Sequence, residues 1–127
     1  MNFFGPHWKA DLKGVERSKI EDLGLIKNYM LESVEASGMC VISGPHIFHY
    51  QHPVMPKENG VTGLLALADS HMSVHSFIND GWVFCDLFTC AEFDREVIEQ
   101  IAIDTFKPLE YSFSIEFRGV GYERIRR

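Results

Sequence analysis

The sequence has no excess of positive charge, which removes one large class of function. Twelve basic residues stand against eighteen acidic ones, so the formal net charge is −6. Proteins that bind the phosphate backbones of nucleic acids normally have more basic than acidic residues. We therefore expect no nucleic-acid partner. The length of 127 residues fits a single domain.

Cysteines are few, and long hydrophobic runs are missing. Cys40, Cys85 and Cys90 form no even-numbered disulfide framework, which favours a reducing, cytoplasmic location. The N-terminal residues lack the apolar segment of a signal peptide. No stretch approaches the roughly 20 apolar residues of a membrane span. We expect a cytoplasmic protein without a membrane partner.

The six histidines do not form a convincing metal-ligand pattern along the chain. His71 and His75 are predicted to lie on one strand, about 13 Å apart. That separation is too large for one ion, whose ligands lie about 2 Å away. His49 and His52 lack a third ligand, and we interpret the isolated His7 as a surface or satisfied histidine. The sequence therefore predicts no metal.

Hydrophobic periodicity predicts two helices and several strands. Apolar residues recur at helical spacing over 17–36 and 93–106, and Ser18 with Glu21 suggests a capping box. Alternating or continuous apolar runs predict strands over 40–50, 61–69, 71–77, 82–90 and 111–118. Strands outnumber helices, so we predict an α+β fold: a two-layer sandwich of a largely antiparallel sheet with both helices on one face.

Two of the cysteines differ in their predicted surroundings. Cys85 and Cys90 are five residues apart, so a continuous strand would place them on opposite faces. That spacing excludes a redox CxxC pair. We interpret Cys40 and Cys85 as small buried hydrophobes. Cys90 ends its strand, where a pocket could open.

The segment 60–90, GVTGLLALADSHMSVHSFINDGWVFCDLFTC, resembles the prokaryotic S-adenosylmethionine decarboxylase proenzyme family. That family combines a GV(S/T)G strand, an acidic-Ser-His motif, a histidine five residues after the serine, and a strand ending in Asp-hydrophobic-Phe-Thr-Cys. The matching residues are Val61-Thr62-Gly63, Asp69-Ser70-His71, His75 and Asp86-Leu87-Phe88-Thr89-Cys90.

The resemblance implies that the chain is made as a self-cleaving proenzyme. The hydroxyl of Ser70 would attack the carbonyl of Asp69 and convert the peptide bond to an ester. β-Elimination would then split the chain into 1–69, the β chain, and 70–127, the α chain. Ser70 would become a pyruvoyl group that heads the α chain. In the family, the residues matching His75 and Thr62 assist this processing.

The resemblance also implies a carboxy-lyase whose cofactor is the self-derived pyruvoyl group, without a metal. The carbonyl from Ser70 would form a Schiff base with the substrate amine and act as an electron sink. Cys90 would return a proton to the decarboxylated carbon, and His75 would serve as acid or base. Family members form homodimers and supply aminopropyl groups for spermidine, a polyamine.

The chain departs from the family pattern in its substrate-binding residues. Asp69 stands where glutamate is usual. Phe77 is retained and could stack on adenine. The glutamate that binds the ribose hydroxyls in the family is replaced by Asn79. A second stacking aromatic would fall near Pro56. An amide binds a hydroxyl without the charge-assisted strength of a carboxylate.

These departures leave the identity of the substrate open. The leading hypothesis is S-adenosylmethionine. The first alternative keeps the chemistry but acts on a basic amino acid, arginine or ornithine. A second alternative is a regulatory relative that never cleaves, against which the intact set of Ser70, His75 and Cys90 argues.

Overall fold

Alternating apolar and polar residues build one antiparallel sheet, seen in a computed structural model that describes residues 2–123. Within that range the strands are β1 (Gly5–Lys13), β2 (Val41–Tyr50), β3 (Gly60–Leu67), β4 (Ser70–Phe77), β5 (Trp82–Phe88) and β6 (Glu110–Arg118). The helices are α1 (Arg17–Ile20), α2 (Leu23–Ala36) and α3 (Arg95–Phe106). The strand order is β2-β3-β4-β5-β1-β6, and every neighbouring pair is antiparallel.

The two longer helices cover one face of this sheet. Trp8, on β1, is fully buried, and its indole N–H donates to the Glu99 carboxylate on α3 at 3.0 Å. Gly63, on β3, lies under α2: an added Cβ would lie 2.7 Å from the Met30 sulfur. The predicted two-layer sandwich is confirmed. The opposite face, which we call the open face, has no helix over it within residues 2–123.

The first predicted helix is divided in two. α1 ends at Ile20, and α2 begins at Leu23 after Asp22, whose carboxylate accepts the Leu25 backbone N–H at 3.0 Å. The predicted capping box at Ser18 is wrong, since no side chain caps α1. An aspartate cap satisfies backbone donors and starts a new helix where the sequence suggested continuity.

Strand β1 was not predicted from the sequence, yet it is central. It lies between β5 and β6 and pairs with both. Its buried residues Trp8, Ala10 and Leu12 alternate with His7 and Lys9 on the open face. This alternation is the ordinary signature of a half-buried strand. Its effect is to bring the N-terminal segment beside the strands that hold the family motifs.

None of the helices within residues 2–123 combines the length and hydropathy that crossing a bilayer would require.

Candidate active site

Asp69, Ser70 and Cys90 meet where β3 turns into β4. Asp69 occupies the turn with a φ of 60°, and Ser70 is the first residue of β4. The Ser70 hydroxyl oxygen accepts a hydrogen bond from the Cys90 backbone N–H at 3.0 Å. The Cys90 sulfur lies 4.0 Å from the carbonyl oxygen of Ala68. Three of the predicted site residues therefore lie together.

The turn explains why this position can hold Asp69. A left-handed φ is unusual for residues other than glycine, but aspartate tolerates it better than most. The turn places the bond between Asp69 and Ser70 at the end of the β3–β4 hairpin, where β4 begins. That bond is the one that the family resemblance identifies as scissile.

Cys90 lies beyond the strand in which it was predicted. β5 ends at Phe88. Thr89 is fully buried, its backbone N–H donates to the Pro6 carbonyl at 3.1 Å, and its hydroxyl donates to the carbonyl of Ala91. These bonds turn the chain, so that the Cys90 amide faces Ser70. The half-buried thiol lies beside the turn rather than on a sheet face.

The other two cysteines are in contrasting surroundings. Cys85 is buried on the helix side of β5, as predicted, and burial raises the pKa of its thiol from 9.0 to about 12. It stays protonated at neutral pH and is a poor nucleophile. The expectation that Cys40 is buried was wrong, because it precedes edge strand β2 and is exposed.

Thr62 and His75 form a second group, on the open face. They are direct partners across β3 and β4, and the Thr62 hydroxyl lies 3.1 Å from Nδ1 of the His75 imidazole. His75 lies five positions after Ser70 on β4, which corresponds to about 16 Å along an extended strand. A single chain therefore does not bring Thr62 and His75 to Ser70.

A cleft of about 450 Å³ surrounds His75 on the open face. It is lined by Tyr50, Glu58, Gly60, Thr62, His75, Ser76, Phe77 and Phe84. Phe77 was predicted to bind substrate. Tyr50 and Phe84 were missed, because they come from the end of β2 and from β5, whereas Glu58 could be considered as an acid close to the pocket in sequence. Cross-strand pairing, which the sequence spacing does not reveal, is what gathers them.

The cleft is rich in aromatic surface. The rings of Phe77 and Phe84 lie 6.0 Å apart in an edge-to-face arrangement. Phe84 also stacks on Trp82, with ring centres 5.5 Å apart and planes 6° apart. The ring of Tyr50 is half-exposed on the same face. Aromatic faces are thus present even though Pro56 supplies none.

Asn79 lies next to this cleft without lining it. Its amide N–H donates to the Pro56 carbonyl at 2.7 Å, and its amide oxygen accepts from the Arg17 guanidinium at 3.3 Å. These contacts hold the 3-10 turn at Pro56–Glu58, which places Glu58 in the cleft. A direct contact between Asn79 and substrate stays a prediction.

The sequence matches known proteins over almost its whole length. The profile of a family described as S-adenosylmethionine decarboxylase matches residues 6–119. An S-adenosylmethionine decarboxylase proenzyme from Brevibacillus brevis is 35% identical over 125 residues, covering 93% of this chain and 84% of that protein. The proenzyme from Symbiobacterium thermophilum is 30% identical over 124 residues, covering 98% of this chain and 83% of that protein.

The fold is also similar to a solved structure. The adenosylmethionine decarboxylase of Aquifex aeolicus superposes with a TM-score of 0.75 and 25% sequence identity. The match covers 100% of both chains.

Proposed function

The chain belongs to the S-adenosylmethionine decarboxylase family, and we propose that it is a self-processing decarboxylase that acts on S-adenosylmethionine. The observation that carries the proposal is the arrangement at Ser70. Its hydroxyl is held by the Cys90 amide, directly after the left-handed Asp69.

Processing would begin with the Ser70 hydroxyl oxygen attacking the carbonyl carbon of Asp69. The amide nitrogen of Ser70 leaves that carbon and gains a proton, so the peptide bond becomes an ester. Removal of the Ser70 α-proton then expels the Asp69 carboxylate and separates 1–69 from 70–127. Water replaces the nitrogen on the dehydrated residue, releasing ammonia and leaving a pyruvoyl group.

The residues around Ser70 fit such a group. Ser70 is half-buried at the start of β4, and the Cys90 N–H points at its side-chain oxygen, where it can bind a carbonyl-bearing group as well as a hydroxyl. The pyruvoyl group, once formed, supplies the electron sink that decarboxylation of an amino acid needs. Cys90 carries the proton that is returned to the substrate α-carbon.

The cleft beside His75 provides the substrate's binding surface. Adenine requires flat apolar faces, and Tyr50, Phe77 and Phe84 offer them. The Glu58 carboxylate can accept hydrogen bonds from ribose hydroxyls, a charge-assisted contact that Asn79 does not provide. These side chains together favour a nucleoside-containing substrate.

We infer that two copies of the chain complete each active site. Ser70 lies about 16 Å from His75 along β4, and Cys90 is bonded to Ser70. A second chain related by a two-fold axis, packed open face to open face with its β4 antiparallel, would bring its own Thr62 and His75 towards Ser70 of the first. Each homodimer would then hold two equivalent shared sites.

The open face has the apolar surface that such a dimer requires. Among the large hydrophobic residues exposed there are Phe48 and Leu64, at 56% and 46% exposure, with Phe84 at 36%. Large apolar side chains exposed together on one face favour an interaction surface. Packing two copies together would also remove water from the cleft.

In the cell, this reaction would supply aminopropyl groups for spermidine. We place it in the cytoplasm, where Cys40, Cys85 and Cys90, none of which forms a disulfide, would stay reduced.

A side-by-side assay of carbon dioxide release from S-adenosylmethionine, arginine and ornithine tests the proposal, using the cleaved enzyme. We expect release from S-adenosylmethionine, and Glu58→Gln should raise KM for that substrate. Activity confined to arginine or ornithine would refute the proposed substrate. The solvent-exposed Glu35→Gln is the matched control, because it is on α2, away from the cleft.

A further inference from the structure

Three side chains of metal-ligand type meet at a place that the decarboxylation chemistry does not use. His7 on β1, His71 on β4 and Asp86 on β5 each offer one ligand atom, and these atoms lie within 4.8 Å of one another. We propose that this cluster, the His7–His71–Asp86 cluster, binds a divalent transition-metal ion, with zinc as its chemically best-matched occupant.

The sheet register builds the cluster. His7 and His71 both pair with Phe88, from the two sides of β5. The His7 and His71 rings contact the Phe88 ring, with centres 5.5 Å and 5.8 Å away, and lie 6.2 Å from each other. Asp86 lies two residues before Phe88 and therefore on the same face. The three ligands are thus placed by adjacent strands rather than by a mobile loop.

A neighbouring hydroxyl already orients the carboxylate. The Ser73 hydroxyl donates to one Asp86 oxygen, Oδ1, at 2.6 Å. The other oxygen, Oδ2, lies 3.0 Å from Nε2 of His7. A bound metal ion would replace the contact between His7 and Asp86. The hydrogen bond from Ser73 would remain and hold the Asp86 carboxylate in place, as hydrogen bonds to ligands do in metal sites.

The remaining adjustment is small. Two ligands of a tetrahedral zinc ion lie about 3.3 Å apart, given bonds of about 2 Å. His7 and Asp86 are already at 3.0 Å. His71 is exposed, so rotation of its side chain can bring its nitrogen within bonding distance. In the single chain its exposure also leaves a route for the ion to enter from solvent, before a second copy covers the open face.

The surrounding charges favour a transition metal over calcium or magnesium. In the strand register Lys9 lies opposite Asp86 and Glu116 lies opposite His7, and the Arg118 guanidinium lies 4.5 Å from the Phe88 ring centre. The cluster itself contains a single carboxylate, so it lacks the several oxygen ligands that calcium and magnesium require. Imidazole nitrogens with one carboxylate suit zinc and cobalt, and three protein ligands leave one position open.

Titration of the purified, chelator-treated full chain with Zn²⁺, followed by calorimetry, tests this site. We expect one ion per chain and at least tenfold weaker binding in His71→Ala, whose exposed side chain can be removed without unfolding the protein. Asp86→Asn should weaken binding likewise. Co²⁺ should give the visible absorption of a four-coordinate nitrogen- and oxygen-ligated ion.

His49→Ala is the matched control, because it removes an exposed histidine from β2, outside the cluster. It should leave the affinity unchanged. The proposal is overturned if the chain binds no stoichiometric Zn²⁺, or if His71→Ala and Asp86→Asn bind it as tightly as the unaltered chain. The measurement needs no decarboxylase activity, so it is independent of the proposed function.

Discussion

The Ser70 hydroxyl and the Cys90 backbone amide are joined by a 3.0 Å hydrogen bond, although Cys90 lies twenty positions further along the chain. The bond joins the first residue of β4 to the segment just after β5. It places the residue that would be modified beside the thiol that would donate a proton. The same contact links the processing chemistry to the later catalytic chemistry.

Cys90→Ala should separate these two chemistries. We expect the variant to cleave, because the backbone N–H that holds Ser70 is retained. Its turnover should fall about 100-fold or more, since a positioned proton donor is worth that much. Gel analysis of cleavage and a carbon dioxide assay measure the two effects. Turnover equal to that of the unaltered enzyme would show that Cys90 is not the donor.

Cys85→Ala is the corresponding control for cysteine chemistry. Cys85 is buried on the helix face, so its loss should cost stability of about 1 kcal/mol and leave turnover nearly unchanged.

Asn79→Asp should weaken substrate binding through the turn that carries Glu58. The substitution keeps the size of the side chain but replaces its donor with an oxygen facing the Pro56 carbonyl. Repulsion should displace that turn, raising KM about tenfold with little change in kcat, because a lost charge-assisted contact is worth about 1.5 kcal/mol. Steady-state kinetics provide the measurement. An unchanged KM would contradict a role for this turn in binding.

The stability of the protein should fall as the pH rises from about 9 to about 12. Burial raises the pKa of Cys85 from 9.0 to about 12, so over this window the unfolded chain releases a proton that the folded chain keeps. The burial of Tyr29 raises its pKa in the same direction. Urea unfolding at several alkaline pH values should show a shallower fall in Cys85→Ala. In Cys40→Ala, which removes an exposed thiol, the fall should be unaltered.

Two inactive variants should complement each other if the site is shared between chains. Ser70→Ala lacks the attacking hydroxyl and His75→Ala lacks the imidazole, so neither should cleave alone. In a mixed dimer, the His75→Ala chain retains Ser70 and meets His75 of its partner. Co-expression with two different tags should therefore give cleavage of about half of the His75→Ala chains.

Cleavage of the His75→Ala variant on its own would contradict the shared site. The shared site would also be contradicted if the His75→Ala chain stayed completely uncleaved in purified mixed dimers.

The layered fold could be predicted because strand alternation and helical spacing are local signals. Strand β6 shows the alternation plainly, and it was expected at nearly its observed position. Strand β1 was not predicted, because the alternation of Trp8, Ala10 and Leu12 with polar residues is short and its place in the sheet depends on pairing with the distant strands β5 and β6. The break between α1 and α2 depends on Asp22 acting as a cap, a choice that helical periodicity does not reveal.

The site was only partly predictable, because its parts come from different strands. Ser70, His75 and Cys90 could be named from motif spacing. Tyr50 and Phe84 enter the cleft only through the pairing of β2, β3, β4 and β5. The His7–His71–Asp86 cluster likewise depends on strand pairing. His71 precedes Asp86 by 15 positions and His7 precedes it by 79, so spacing along the sequence does not reveal the cluster.

The intact mass of the purified protein tests the central claim most directly. The account predicts two fragments that meet between Asp69 and Ser70, the C-terminal one beginning with a pyruvoyl group, and a single uncleaved chain in Ser70→Ala. A folded protein that keeps the full-length mass after prolonged incubation would contradict it.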